Sequence, residues 1–576
     1  MRESGGSEVT VPPTIQALLA ARLDQLEPAE RAVLERGAIE GRIFHRGAVR
    51  ALTPDATELD VRLMGLVRRE LVRPFLAQLP GEDAFRFRHQ LIRDAAYDGL
   101  SKQDRARLHE QFAAWFEPRA AGLVERDELL GYHLEQAYRY RIDLGPPDAH
   151  GHELATAAAD RLAAAAMRAL ARDDSLAATR FFDRAVAMLP PDSPARVELL
   201  VELGLALRRA GDQQSKADAV LEEALFHAVE IGDERLKAHA EIGLTKIRAQ
   251  SDPEGKALEL RRLAEQAIPL FTELGDDKGL VNSWTAIANA HLFWVQVGAY
   301  EAALEQALVH ARRARQPWLE RSITINLALS MLWGPTTVEE GLRRCAIIIE
   351  EAPSSPVAEC YCARVEAALE AMRGDFDAAR RRLAQHREIV AALGFGRYGT
   401  GEAAWEVEML AGDSVAAERA IRAEYEALLE IGDKGEGSFC AALLAEALYA
   451  QGRDSEAEKY LVVTRDLAAS DDVVVQGRRS ATLAKILARR GRHADGERLA
   501  REAVERFAAT DALADHGYAL MSLAEVLQSA QRPEEAVPVV DEARSLYERK
   551  GDIVSSGRAR AVLADLKQAT ATLAAP

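Results

Sequence analysis

The sequence predicts an all-α protein made mostly of paired helices, preceded by a small head that adds one β-hairpin. Three observations carry this. Leu and Ala recur at helical spacing with a period near 40 residues, and turn residues interrupt that pattern at the same period. Charge is divided unevenly: of 73 Lys+Arg and 91 Asp+Glu, residues 1–117 hold 17 and 18, leaving 56 and 73 for the remainder. Nearly all of the net −18 therefore belongs to the repeated part. The 48% apolar content can bury a large core, which excludes disorder for most of the chain. So acidic a chain repels phosphate, which argues against a protein that coats nucleic acid.

Taken in order, residues 1–13 are polar and glycine-rich and read as a disordered tail, without the apolar centre of a signal peptide. Residues 14–117 form the head. Pro12-Pro13 stop the chain before a helix over Ile15–Leu26, and a second helix runs from Pro28 to Ile39, with proline in its first turn. Short helices follow at Arg46–Leu52 and Glu58–Glu70. Two β-like segments, Leu71–Leu76 and Ala84–Arg88, flank the turn Leu79-Pro80-Gly81-Glu82-Asp83. Helices followed by a hairpin give the layout of a winged helix. Residues 118–154 read as connecting helices, and 155–570 as the repeat array.

Within the array three segments align without gaps. Leu444-Ala445, Leu483-Ala484 and Leu523-Ala524 are followed by Leu448, Leu487 and Leu527, then by Gly452, Gly491 and Gln531, then by Ala457, Gly496 and Ala536. Leu and Ala three and four apart make one apolar stripe, a glycine can close the helix in the left-handed conformation, and a small residue lets the returning helix approach. Similar turn positions fall near Gly211, Asp252, Gly298, Gly334, Gly374 and Gly412. A second marker ends the second helices: Ile231-Gly232-Asp233, Leu274-Gly275-Asp276, Ile431-Gly432-Asp433 and Lys550-Gly551-Asp552. Each pair exposes an apolar face that only its neighbour covers, so stacking is required.

These columns resemble the tetratricopeptide repeat, here longer than that family's usual period, and imply a right-handed superhelix of about ten hairpins. Val11-Pro12-Pro13-Thr14 with Ile15–Leu26, and Phe85–Tyr97 (FRFRHQLIRDAAY) with Leu108-His109-Glu110, resemble stretches of bacterial STAND-type ATPase regulators. In that family a P-loop ATPase module precedes the winged helix and helical repeats follow it. Some members are also fused to class III adenylate or guanylate cyclases. The resemblance implies that this chain is the C-terminal portion of such a design. It also places His89, within Arg88–Asp94, where a related His touches the β-phosphate of ATP or ADP held by the ATPase module. Gln90 stands where that motif has Asp.

Other signals are excluded. No G-x-x-x-x-G-K-[ST] string is present, so the chain alone is not expected to be an enzyme or to carry a cofactor. Gly394-Phe395-Gly396-Arg397-Tyr398-Gly399 spells a dinucleotide fingerprint, but it follows a repeat helix where a strand is required, and reads as a loop. Cys345, Cys360, Cys362 and Cys440 lack the spacing of a disulfide framework or zinc site, and fit packing roles in a reducing cytoplasm. His291, His310 and His386 read as helix-surface residues; no catalytic or metal-binding set is expected. No apolar run of about 18 residues would span a membrane. The helix Glu58–Glu70 with Arg73 offers Arg62, Arg68 and Arg69, yet also Glu58, Asp60 and Glu70, a poor basic face for nucleic acid.

Trp284, Trp294, Trp318 and Trp333, four of the six tryptophans, fall within 50 residues and are candidates for a ligand-binding wall or for interhelical filling. The expectation is a non-catalytic regulatory module whose repeats bind a protein or small effector and control an ATPase or cyclase module. A regulatory part of a cyclase and a winged-helix transcription regulator are the alternatives.

Overall fold

The computed structural model describes residues 21–53, 58–210, 213–351, 355–393 and 399–573. The expected tail and most of the helix Ile15–Leu26 lie outside these residues; 21–24 are helical. The chain divides into two compact units, residues 1–169 with 177–199, and residues 170–176 with 200–576.

The first unit opens with α1 (Pro28–Glu40), β1 (Ile43–His45), α2 (Arg46–Leu52), α3 (Leu59–Arg68), β2 (Val72–Phe75) and β3 (Ala84–Phe87). It continues with α4 (Gln90–Asp98), α5 (Lys102–Phe116) and α6 (Arg126–Ile142). The sheet is antiparallel with order β1-β3-β2, registering Phe44 on Phe85 and Val72 on Phe87. The sequence reading had only the hairpin. A strand of three residues is too short to show period-two alternation, and β1 is fixed instead by packing, its Phe44 ring 5.9 Å from Phe85 and 5.2 Å from Phe87. Val33, Leu34, Leu63, Leu66 and Leu108 close the same core.

From residue 149 the chain is a series of helix pairs: 149–186, 194–231, 234–274, 277–313, 317–351, 356–393, 400–431, 434–467, 473–508 and 513–550, with a last unpaired helix Ile553–Leu573. First helices are buried nearly all round; in Lys434–Ala450 every residue from Cys440 to Tyr449 is buried. Second helices bury a single stripe, such as Ala417, Ile421, Glu424, Tyr425 and Leu428 in Ser414–Ile431. First helices thus form an inner layer and second helices an outer one.

The Gly-Asp marker now has a mechanism. Gly232, Gly275, Gly432 and Gly551 all have positive φ, from 65° to 82°, closing a second helix. The following aspartate then caps the next helix: Asp233 accepts from Leu236 N at 2.9 Å, Asp276 from Gly279 N at 2.9 Å, Asp433 from Glu436 N at 3.0 Å and Asp552 from Ser555 N at 2.8 Å. The other marker holds only in part. Gly374, Gly412, Gly452, Gly491 and Gln531 are left-handed, but Gly334 is extended and Gly298 lies inside a helix, the left-handed residue there being Val295 at φ 52°. Asp252 likewise has φ −144°, with Gly255 at +68°. Gly211 lies outside the described residues.

The second unit returns on itself. Helix Glu234–Ser251 touches Lys434–Ala450, its counterpart five pairs later. Asp511 accepts hydrogen bonds from Val297 N at 2.7 Å and Gly298 N at 2.8 Å, and Glu254 accepts from Ser470 N at 2.8 Å. The Lys550 amine donates to the carbonyls of Met331, Gly334 and Thr336 at 2.6, 2.8 and 2.9 Å. Arg558 donates to Leu410 O at 2.6 Å. No described helix is long and apolar enough to cross a membrane.

Candidate effector site on the inner wall

The first helices carry polar side chains on the face that second helices do not cover, and these divide into three zones. The first is cationic. Lys246 is 7% exposed, and its amine donates to Asn282 O, Asn282 Oδ1 and Thr285 Oγ1 at 2.9, 2.7 and 2.9 Å. The Arg209 guanidinium sits over the Trp318 ring, 4.1 Å from its centre, and reaches Ser322 Oγ at 3.5 Å. Burial, with Arg208 beside it, pushes the Arg209 pKa down to about 9, and burial with both arginines nearby depresses Lys246.

The second zone is acidic. Arg364 is bonded to Glu402, and Glu424 accepts from Gly401 N at 2.6 Å and Glu402 N at 2.9 Å, capping the helix Thr400–Ala411. Burial pushes the Glu406 carboxyl up to about 7 and Glu436 up to about 8, with neighbouring carboxylates adding to both. The third zone alternates cations and rings. Arg478 bridges Glu446 at 3.0 Å and Asp515 at 2.7 Å and faces the Trp405 and Tyr518 rings. Lys485 faces Tyr518 and Tyr449, and Arg489 faces Tyr449 at 3.6 Å. Arg478, Lys485 and Arg489 are seven and four apart on one helix, a spacing that places them on one face and could have revealed the ladder.

The four tryptophans do not converge. Trp284 packs against the core of its own pairs. Trp294 donates weakly to Asp471 at 3.5 Å, and Trp333, like Val473 and Val474, packs against the cluster of Val295, Val297 and Ala512, so both tryptophans sit where successive windings meet. Trp318 alone joins the cationic zone. His89 is exposed and caps α4, its Nδ1 accepting from Leu91 N at 3.2 Å. His386 corrects the surface reading. It is 3% exposed, with Nδ1 3.0 Å from Cys360 O, because its helix buries that position against the preceding one. All four cysteines are free and buried. Of the G-x-G-x-x-G string only Gly399 is described, at φ +73° before a helix. Among the described residues no three His, Cys, Asp or Glu side chains are grouped to hold a metal.

No family model and no curated protein matches the chain. Similar solved structures are helical-repeat proteins. One is a Signal Transduction ATPase with Numerous Domains (STAND) protein with a tetratricopeptide repeat sensor from Pyrococcus horikoshii, at 13% identity and TM-score 0.45. That match covers 80% of this chain and 65% of the archaeal one, so the chain spans less than two thirds of it. A Rap protein in complex with Competence and Sporulation Factor matches at 11% identity and TM-score 0.34, covering 65% and 99% of the two chains. Yeast Tom70 matches at 12% identity and TM-score 0.31, covering 80% and 99%.

Proposed function

We propose that the chain is a non-catalytic regulatory module of a STAND-type signal-transduction ATPase, in which the repeat array senses a protein or small effector and a winged-helix head passes the state on. The observation that carries the reading is the inner wall. Its charged and aromatic side chains come from successive first helices, joined by Glu424 of the second helix Ser414–Ile431, and form zones of differing sign, an arrangement suited to recognition.

The winged-helix reading is supported by the three-stranded order β1-β3-β2 behind α1–α3. Its part is packing rather than reading DNA. On α3, Val61 and Met64 are 58% and 44% exposed, and Phe75 and Leu76 beside them are 38% and 83% exposed. A hollow of about 750 Å³ lies between α3 and the β2–β3 turn, lined by Met64, Phe75, Leu76 and Leu79. Arginines nearby are matched by carboxylates, Arg46 with Asp60 at 3.2 Å and Arg69 with Glu30 at 3.3 Å. ATP or ADP belongs to the ATPase module of the proposed design, where the exposed cap His89 would meet its phosphate.

A thermal-shift screen of metabolites and peptides on the full chain tests the reading. A stabilising ligand lost in Lys246→Gln or Tyr518→Phe, but kept in the outer-layer variant Arg501→Gln, is expected. ATP turnover by the chain alone, or tight sequence-selective retention of duplex DNA at low salt, would overturn it.

A further inference from the structure

We infer that the cationic zone of the inner wall is a binding site for the phosphoryl group of a small metabolite, held by Arg209 and Lys246 beside Trp318 and Asn282. This deepens the functional reading and rests on it.

The first ground is charge without a counterion. Neither Arg209 nor Lys246 has a carboxylate partner among the described residues. Two carboxylates act on Arg209 through space, and each is itself in an ion pair, Glu202 with Lys278 at 3.0 Å and Asp173 with Arg321 at 3.3 Å. Cations removed from water are costly unless paired, and here the neighbours are a ring, two hydroxyls, an amide oxygen and a backbone carbonyl.

The second ground is independent and concerns orphan atoms. Asn282 is 8% exposed; its Oδ1 serves Lys246, while its Nδ2 is buried with no hydrogen-bond partner. Trp318 Nε1 is buried and unpartnered too. Both are N–H donors, and both flank the unmatched cations. Native interiors leave few polar groups unsatisfied, so two orphan donors beside two cations with no carboxylate hydrogen-bonded to them describe the complement of an acceptor-rich anion, to which Lys246 adds its charge while its three hydrogens stay on Asn282 and Thr285. A phosphoryl group supplies up to three acceptor oxygens and up to two charges, and the Trp318 ring gives an attached sugar or base an apolar surface.

The test uses the full chain, tryptophan fluorescence and thermal unfolding, with inorganic phosphate, pyrophosphate, ribose 5-phosphate and adenosine monophosphate as probes at ionic strength matched with sodium chloride. At least one probe is expected to raise the melting temperature and alter fluorescence. Arg209→Gln and Lys246→Gln should weaken that probe at least tenfold, and Arg501→Gln should not. Arg209→Gln should also melt no lower than the parent without ligand, because it removes a half-buried charge with no carboxylate hydrogen-bonded to it; a merely structural arginine would lower it. Ribose 5-phosphate bound as well as adenosine monophosphate identifies a sugar phosphate, and the reverse preference a nucleotide. No effect beyond sodium chloride, or equal affinity in Arg209→Gln, overturns the assignment. A chain that takes an inner-wall effector in the broad screen but no phosphoryl probe overturns this inference alone; absence of any inner-wall ligand overturns both.

Discussion

Lys550 is a charged residue with 0% exposure, doing what a cap does. The helix Pro317–Trp333 ends in an extended Gly334 rather than a left-handed one, so its last carbonyls need another donor. The Lys550 amine supplies three hydrogen bonds to that end, and burial pushes its pKa down to about 8. Lys550→Met keeps the bulk and strands the carbonyls, and should cost about 3 kcal/mol, seen as a lower urea midpoint. In the head, His109 is sandwiched between Tyr97 Oη and His133 Nδ1, each at 2.8 Å, and burial pushes its pKa down to about 3. The folded pKa lies below the unfolded value near 6.5, so the unfolded chain binds the proton first. Stability is untouched above about pH 7 and is lost as pH falls from 6.5 toward 3, by roughly 2 kcal/mol at pH 5 for one such imidazole. Denaturation midpoints at pH 7 and 5 should therefore differ less in His109→Gln than in the parent. The sequence placed Lys550 in a turn marker and His109 in a stretch that carries a resemblance, but it showed neither role, because both depend on partners that folding brings close.

Helix ends were the most legible elements, because glycine and aspartate act through local backbone geometry. Gly491 has φ 78°, and an added Cβ there would meet nothing within 4 Å, so Gly491→Ala isolates conformational strain and should cost about 1 kcal/mol. The equivalent Gln531 holds φ 61° as a non-glycine, and Gln531→Gly should raise stability by up to about 1 kcal/mol. Opposite signs at equivalent turns, read by thermal melting, check the assignment. Gly477 is a different case: a Cβ would lie 2.5 Å from the Phe507 ring, so Gly477→Ala should cost about 2 kcal/mol or more through overpacking. Where the turn residue was not glycine the reading slipped. Val295 takes the left-handed position that Gly298 was expected to hold, since cross-winding contacts can impose a conformation that local preference opposes.

At the scale of the molecule, the period gave the number of helix pairs but not their path. The path depends on small rotations between neighbours, which leave no mark in residue spacing. Stacked repeats ordinarily touch only adjacent ones, yet here Asp511 caps the helix Val297–Arg313 from 214 residues away. Asp511→Ala should speed amide hydrogen exchange at residues 297–301 of the full chain, far from the substitution in sequence. Unchanged exchange there would mean that the windings act separately. The same lacing bears on timing. Glu254, Asp511, Lys550 and Arg558 fasten one winding to the next, so the array resists stretching as a coiled spring with tied coils does. Anything lodged inside would leave only as fast as these ties let go, and its dwell time becomes a property of the latch as much as of its own grip.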